Sequence, residues 1–126
     1  MKYINTDQAP KAVGPYSQAI FVNNVLYSSG QIAIDPSTQI MINGDVVAQT
    51  EQIVKNIDAV LKAADLSADD VVKTTCFLAD MSDFAVFNSV YEKYFVSKPA
   101  RSCVAAKELP KGALAEIEVI AVKMDK

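Results

Sequence analysis

One arginine and two glutamates in the last third of this chain carry most of its chemical potential. Arg101 lies in the run Lys98-Pro99-Ala100-Arg101-Ser102-Cys103-Val104, and Glu116 and Glu118 lie in Ala115-Glu116-Ile117-Glu118-Val119-Ile120-Ala121. A guanidinium is a planar fork of donors that grips a carboxylate or phosphate through two hydrogen bonds. A carboxylate on a half-buried strand is costly unless it has a partner or a task. Together the three groups read as a small site for an acidic metabolite. The alternative is a surface arginine paired with Glu116 or Glu118, a contact that contributes little stability. Pro99 weighs against that alternative, because it fixes the chain just before the arginine. The two glutamates are two residues apart and share a strand face; by themselves they read as a solvated pair on an edge strand.

Four other positions have two readings each. Cys103 shares the face of Arg101 and is either a small buried apolar side chain or a thiol made reactive by the guanidinium. Tyr16 follows the rigid bend Gly14-Pro15 and either packs or covers a ligand with its ring and hydroxyl. Ser29-Gly30 closes a strand, as a bulge or as a point of close backbone approach. Asn88, between Phe87 and Tyr91, is a surface residue or a site residue.

What is missing narrows the chemistry. The 126 residues contain no histidine. That excludes Ser-His-Asp and Cys-His catalysis, and acid–base work falls to Glu, Asp, Tyr, Lys, Cys or water. Cys76 and Cys103 form no C-x-x-C, so neither a disulfide framework nor a metal site is expected, and Cys76, on a core strand, is expected to be inert. No glycine-rich phosphate loop occurs. A net charge of −3 gives no attraction to nucleic acid or an anionic membrane. No apolar run is long enough to span a bilayer, and Met1 to Asp7 lacks an apolar signal core. A cytoplasmic location is the expectation.

These residues must be positioned by the elements around them. The length and unbroken composition predict one domain over residues 1–126. Ala19-Ile20-Phe21-Val22 and Val25-Leu26-Tyr27-Ser28 flank Asn23-Asn24 and predict a hairpin. Asp35-Pro36-Ser37-Thr38 reads as a turn. Val46, Ile53, Val54, Ile57, Val60, Leu61 and Ala64 recur at helical spacing, and a second helix carries Phe84, Phe87, Tyr91, Tyr94 and Phe95 with Ser82 as its cap. Strands are predicted over 71–79, 101–106 and 113–123. Two helices cover one face of such a sheet only. Yet the last strand is apolar on both faces, with Ile117, Val119 and Ala121 on one and Ile120 and Val122 on the other. That pattern predicts self-association through the sheet.

Several blocks, in order along the chain, resemble the RidA/YjgF/UK114 family of small enamine and imine deaminases. They are Gly14-Pro15-Tyr16-Ser17-Gln18, Tyr27-Ser28-Ser29-Gly30-Gln31-Ile32, Asp70-Val71-Val72-Lys73-Thr74-Thr75-Cys76-Phe77, Phe87-Asn88-Ser89-Val90-Tyr91, and the two C-terminal runs above. The resemblance implies an α+β, chorismate mutase-like domain with a mixed sheet and two helices on one face. It also implies assembly as a homotrimer with sites between subunits. It implies hydrolysis of 2-imino and 2-enamino acids to 2-keto acids and ammonia, without metal or organic cofactor. It makes Arg101 the grip on the substrate carboxylate and Glu116 the group that activates water. Tyr16, Ser29, Gly30, Asn88 and Cys103 would line the pocket, Cys103 as wall and not as nucleophile. A non-catalytic regulator or chaperone-like trimer binding small carboxylates is the alternative, against which Glu116 stands, since a carboxylate near an anionic ligand costs affinity. The segment Val96-Ser97-Lys98 is shorter than in several family members, which bears on the pocket rim.

Overall fold

The computed structural model describes residues 1–124. In chain order the elements are β1 (Lys2–Ile4), β2 (Ala19–Val22), β3 (Val25–Ser28), β4 (Ile34–Asp35), β5 (Ile40–Met41), α1 (Val46–Ala63), β6 (Val71–Leu78), α2 (Phe84–Tyr94), β7 (Ala100–Ala105) and β8 (Ala115–Val122). Asn23 and Asn24 take φ of 51° and 65°, the left-handed pair that a tight hairpin turn needs, and β2 and β3 pair around them with Val22 opposite Val25. Asp35 to Thr38 does turn, with the Asp35 carboxylate accepting the Ser37 N–H at 2.8 Å. It joins β4 to β5, a ribbon too short to show as period-two alternation.

Six strands form one sheet in the order β1-β2-β3-β8-β6-β7. All neighbours are antiparallel except β6 and β7, which run parallel with α2 as their connection. The sheet is mixed and the architecture is α+β, as expected. β8 sits near its centre, between β3 and β6. Along β8 burial alternates: Ala115, Ile117, Val119 and Ala121 are buried, while Glu116, Glu118, Ile120 and Val122 are only partly so. The buried set faces α1 and α2 together with Leu26, Cys76 and Leu78. The other set, joined by Tyr27 and Val25 from β3, lies on the face that no helix covers.

α1 opens where Asp45 accepts the Ala48 N–H at 3.0 Å. Its buried stripe contains Val46, Ile53, Ile57, Val60 and Leu61, but also Gln49, Thr50 and Asn56. The expected cap of α2 is corrected. Ser82 donates its N–H to Asp80 Oδ1 at 2.8 Å, and Met81–Asp83 forms a short 3-10 turn that runs into α2. The aspartate two residues earlier wins because its short side chain closes a local turn on its own backbone. No helix among the described residues is long and apolar enough to cross a membrane.

Candidate active site

Pleating decides which of the candidate residues can meet. Glu116 is paired with Phe77 across β6 and points to the open face. Arg101 is paired with Thr74, and Cys103 with Cys76, across the parallel β6–β7 ladder. Thr74 and Cys76 are buried under the helices, so Arg101 and Cys103 point to the helix side. The expected cluster of Arg101 with Glu116 and Glu118 therefore does not form within one chain. Nor does the alternative ion pair: the two carboxylates lie on the opposite face of the sheet. Period two along each strand and the pairing register together enforce this separation.

On the open face, Glu116 borders a cleft of about 480 Å³ whose wall includes Pro10, Tyr16, Ser29, Gly30, Lys111 and Glu116. Burial pushes the Glu116 carboxyl above the usual carboxylate range, and the Glu118 charge adds to the rise. Gly30 lies flat against that carboxylate. A Cβ built at Gly30 would fall on Glu116 Oε2, and within 2.8 Å of its Cδ. The glycine is there for close approach, the second of its two readings. The backbone around it is stapled: Gln31 and Ile117 exchange N–H···O bonds of 2.8 and 3.1 Å. Ser29 donates its N–H to Gln18 O at 2.9 Å and its hydroxyl to Ser17 O at 2.6 Å. Tyr16 is 54% exposed at the cleft edge, its N–H bonded to Gly14 O at 2.9 Å. Gly14 takes φ +142° there.

On the helix side, at the sheet's edge, Arg101 borders a second cleft of about 450 Å³ with Asn88, Tyr91, Glu92, Lys98 and Pro99. Its Nη1 donates to Asn88 Oδ1 at 2.7 Å. Lys98, at φ 56°, ends the short loop with its N–H on Phe95 O at 3.2 Å, and Pro99 then leads into β7. Cys103, two residues along the same strand face, is half-buried. Burial pushes its thiol up and outweighs the lowering by the Arg101 charge. Burial also pushes the Cys76 thiol up to about 12, leaving it inert.

Three polar residues that shape these clefts escaped sequence reasoning. Gln18, 2% exposed, donates to Thr6 O and Pro10 O at 3.0 and 2.8 Å and accepts the Thr6 N–H at 2.7 Å. It thereby ties the loop that carries Tyr16 to the sheet. Gln49 accepts the Leu114 N–H at 2.9 Å, two residues before Glu116. Asn56 donates to Ile32 O and Ile34 O at 3.2 and 2.9 Å, just past Gly30. A signal was present. Val46, Gln49, Ile53, Asn56 and Val60 follow steps of three and four, so two amides occupy the apolar seam of α1, and a buried amide must have partners. Among the described residues no group of three or more His, Cys, Asp or Glu is placed to hold a metal ion.

A family model described as endoribonuclease L-PSP matches residues 6–123. The chain belongs to this family, the RidA/YjgF family. The mouse and human proteins named 2-iminobutanoate/2-iminopropanoate deaminase are 47% and 45% identical to it. Each alignment covers 97% of this chain and 91% and 90% of theirs. The solved structure of a Rid family protein of unknown function from Yersinia pestis, YyfA, superposes with a TM-score of 0.94 at 49% identity, covering 97% of this chain and 98% of that one. Escherichia coli TdcF, solved with bound serine, gives 0.94 at 41% identity, covering 98% and 100%. The names of RidA/YjgF relatives differ in activity, so the reaction has to be argued from the site.

Proposed function

We propose that this RidA/YjgF chain is a 2-imino/2-enamino-acid deaminase whose site is completed between copies. The copies would form a homotrimer of chorismate mutase-like protomers. One observation carries the reading. Among the described residues, the only guanidinium and the only glutamate with a raised carboxyl lie on opposite faces of one sheet. A single chain offers each group a separate cleft; a second copy docked on the open face brings its own edge strand to the first copy's Glu116. Ile120, Val122, Val25 and Tyr27 give that face the apolar surface such docking needs. The mouse and human deaminases support the substrate class, and serine bound to TdcF supports a small amino-acid-like ligand.

The chemistry follows from the groups. Arg101 grips the substrate carboxylate with its planar fork. The imine carbon is already electrophilic, so an oriented water and a base suffice. Glu116 is that base. Its raised carboxyl makes it a stronger one than an exposed glutamate. Water adds to the C=N carbon as Glu116 takes its proton. That proton passes to nitrogen; as the C–N bond of the carbinolamine breaks, its hydroxyl proton returns to Glu116, and a 2-keto acid and ammonia leave. An enamine first gains a proton at its terminal carbon to become the imine. Tyr16 covers the cleft, and Gly30 keeps the carboxylate pressed toward it.

An RNA substrate fits less well. The chain is acidic, with net charge −3, and lacks histidine. The test is to generate 2-iminobutanoate in situ from threonine with a pyridoxal-phosphate dehydratase and to measure 2-oxobutanoate and ammonia formation. Faster hydrolysis with the protein than without it is expected; equal rates would remove the deaminase reading.

A further inference from the structure

Arg101 is held by one stripe of α2. Phe84, Asn88 and Tyr91 stand at i, i+4 and i+7 and share a helix face. Asn88 accepts one guanidinium N–H. The guanidinium carbon lies 4.8 Å from the Tyr91 ring centre and 5.3 Å from that of Phe84. Tyr91 is itself pinned. Its hydroxyl lies 2.7 Å from Thr74 Oγ1, and Thr74 is fully buried and directly paired with Arg101 in the β6–β7 ladder. Helix ring, strand threonine and arginine thus close a ring of contacts. Burial pushes the Tyr91 hydroxyl above its ordinary value, so it stays protonated for that bond.

We propose that Tyr91, aided by Phe84, is a positioning residue that fixes the plane of the Arg101 guanidinium for bidentate capture of a substrate carboxylate. This rests on the reading of Arg101 as the carboxylate anchor. An unrestrained arginine loses side-chain freedom when it binds; one already stacked on an aromatic face has lost that freedom before the ligand arrives. With Asn88 occupying one donor, the remaining donors are left for the ligand.

The experiment is a titration of 2-oxobutanoate into wild type, Tyr91→Leu, Tyr91→Phe and Phe84→Leu, each also in an Arg101→Lys background. Tyr91→Leu should weaken binding about tenfold. Tyr91→Phe, which keeps the ring, should lose less. In the Arg101→Lys background Tyr91→Leu should cost under about twofold, because an ammonium has no plane to orient. Equal losses in both backgrounds, or no loss in either, would overturn the positioning role and leave the anchor standing. Wild-type affinity in Arg101→Lys alone would show that no planar fork is needed and overturn the positioning role; wild-type affinity in Arg101→Ala would remove the anchor itself, and the positioning role with it. If Tyr91→Leu fails to fold, Phe84→Leu, partly buried at the first turn of α2, takes its place in the same comparison of backgrounds.

Discussion

The two clefts are built on different physics. Around Glu116 the work is done by backbone: a glycine pressed on the carboxylate, a pair of N–H···O bonds joining Gln31 to Ile117, and amides on α1 and before β2 that hold the loops. The result is desolvation and a raised carboxyl. Around Arg101 the work is done by side chains: two rings and an asparagine on one helix stripe, set against an edge strand. The result keeps the charge and restrains its direction. A base gains strength from partial burial, whereas a guanidinium, always charged, gains only from orientation. On the proposed reading, in which Glu116 is the base and Arg101 the anchor, opposite faces of one sheet let each environment suit its own group.

Breaking the Arg101 side should have the largest effect. Truncating one partner of a partly desolvated, bidentate contact costs roughly 2–5 kcal/mol. Arg101→Ala should therefore lower kcat/KM by about 30- to several-thousand-fold. Arg101→Lys should recover part of that loss, and a sizing column should show both variants assembled as wild type. Full activity in Arg101→Ala would break the comparison outright.

The Glu116 side responds to two substitutions. Glu116→Gln should lower kcat by roughly 100-fold or more, with binding of 2-oxobutanoate unchanged or tighter as repulsion is relieved. Its stability has a defined sign. A carboxyl raised above its unfolded value holds more protons in the native state, so stability falls as pH rises from the ordinary glutamate range through the raised value. Glu116→Gln should remove that slope and melt no lower than wild type at neutral pH; a clear drop would mean that the carboxylate is structural. Gly30→Ala drives a methyl into the Glu116 carboxylate. Displacing a reacting group by about 1 Å can cost on the order of 100-fold, and here kcat should suffer while the far end of the glutamate yields, keeping the melting temperature nearly unchanged.

Glu118→Gln sharpens the comparison with the smallest effect. It removes a charge that helps to raise the Glu116 carboxyl. With Glu116 as the proposed base, active only when ionised, the acid limb of the pH–rate profile should move to lower pH, with the plateau rate little changed. A limb that stays in place would assign it to another group.

Much of this was legible in the residues. The Asn23-Asn24 hairpin, both helices, and the strands carrying Arg101 and Glu116 all follow from periodicity and turn chemistry. So does the two-faced character of β8, whose Ile120 and Val122 lie on the uncovered side. What was not legible is pairing between strands distant in sequence. Alternation along a strand says which residues share a face, but not which face of β7 matches which face of β8; that depends on β6 lying between them, parallel to one and antiparallel to the other. Hence Arg101 and Glu116, which read as neighbours, lie on opposite faces of the sheet with β6 between their strands. β1, three residues long, and the β4–β5 ribbon fell below any periodic signal, and Asp80 displaced Ser82 through a local bond that composition alone does not rank.

The central claim is that each working site takes its arginine from one chain and its glutamate from another. Subunit complementation tests it most directly. Arg101→Ala and Glu116→Gln, each nearly inactive alone, would be unfolded together, refolded as a mixture and assayed for 2-iminobutanoate hydrolysis. Under random assembly about a quarter of the interfaces unite an intact Arg101 with an intact Glu116. The mixture should therefore recover about a quarter of wild-type activity. Mixed oligomers that form, as shown by mass spectrometry, yet work no faster than the two variants apart would contradict the account.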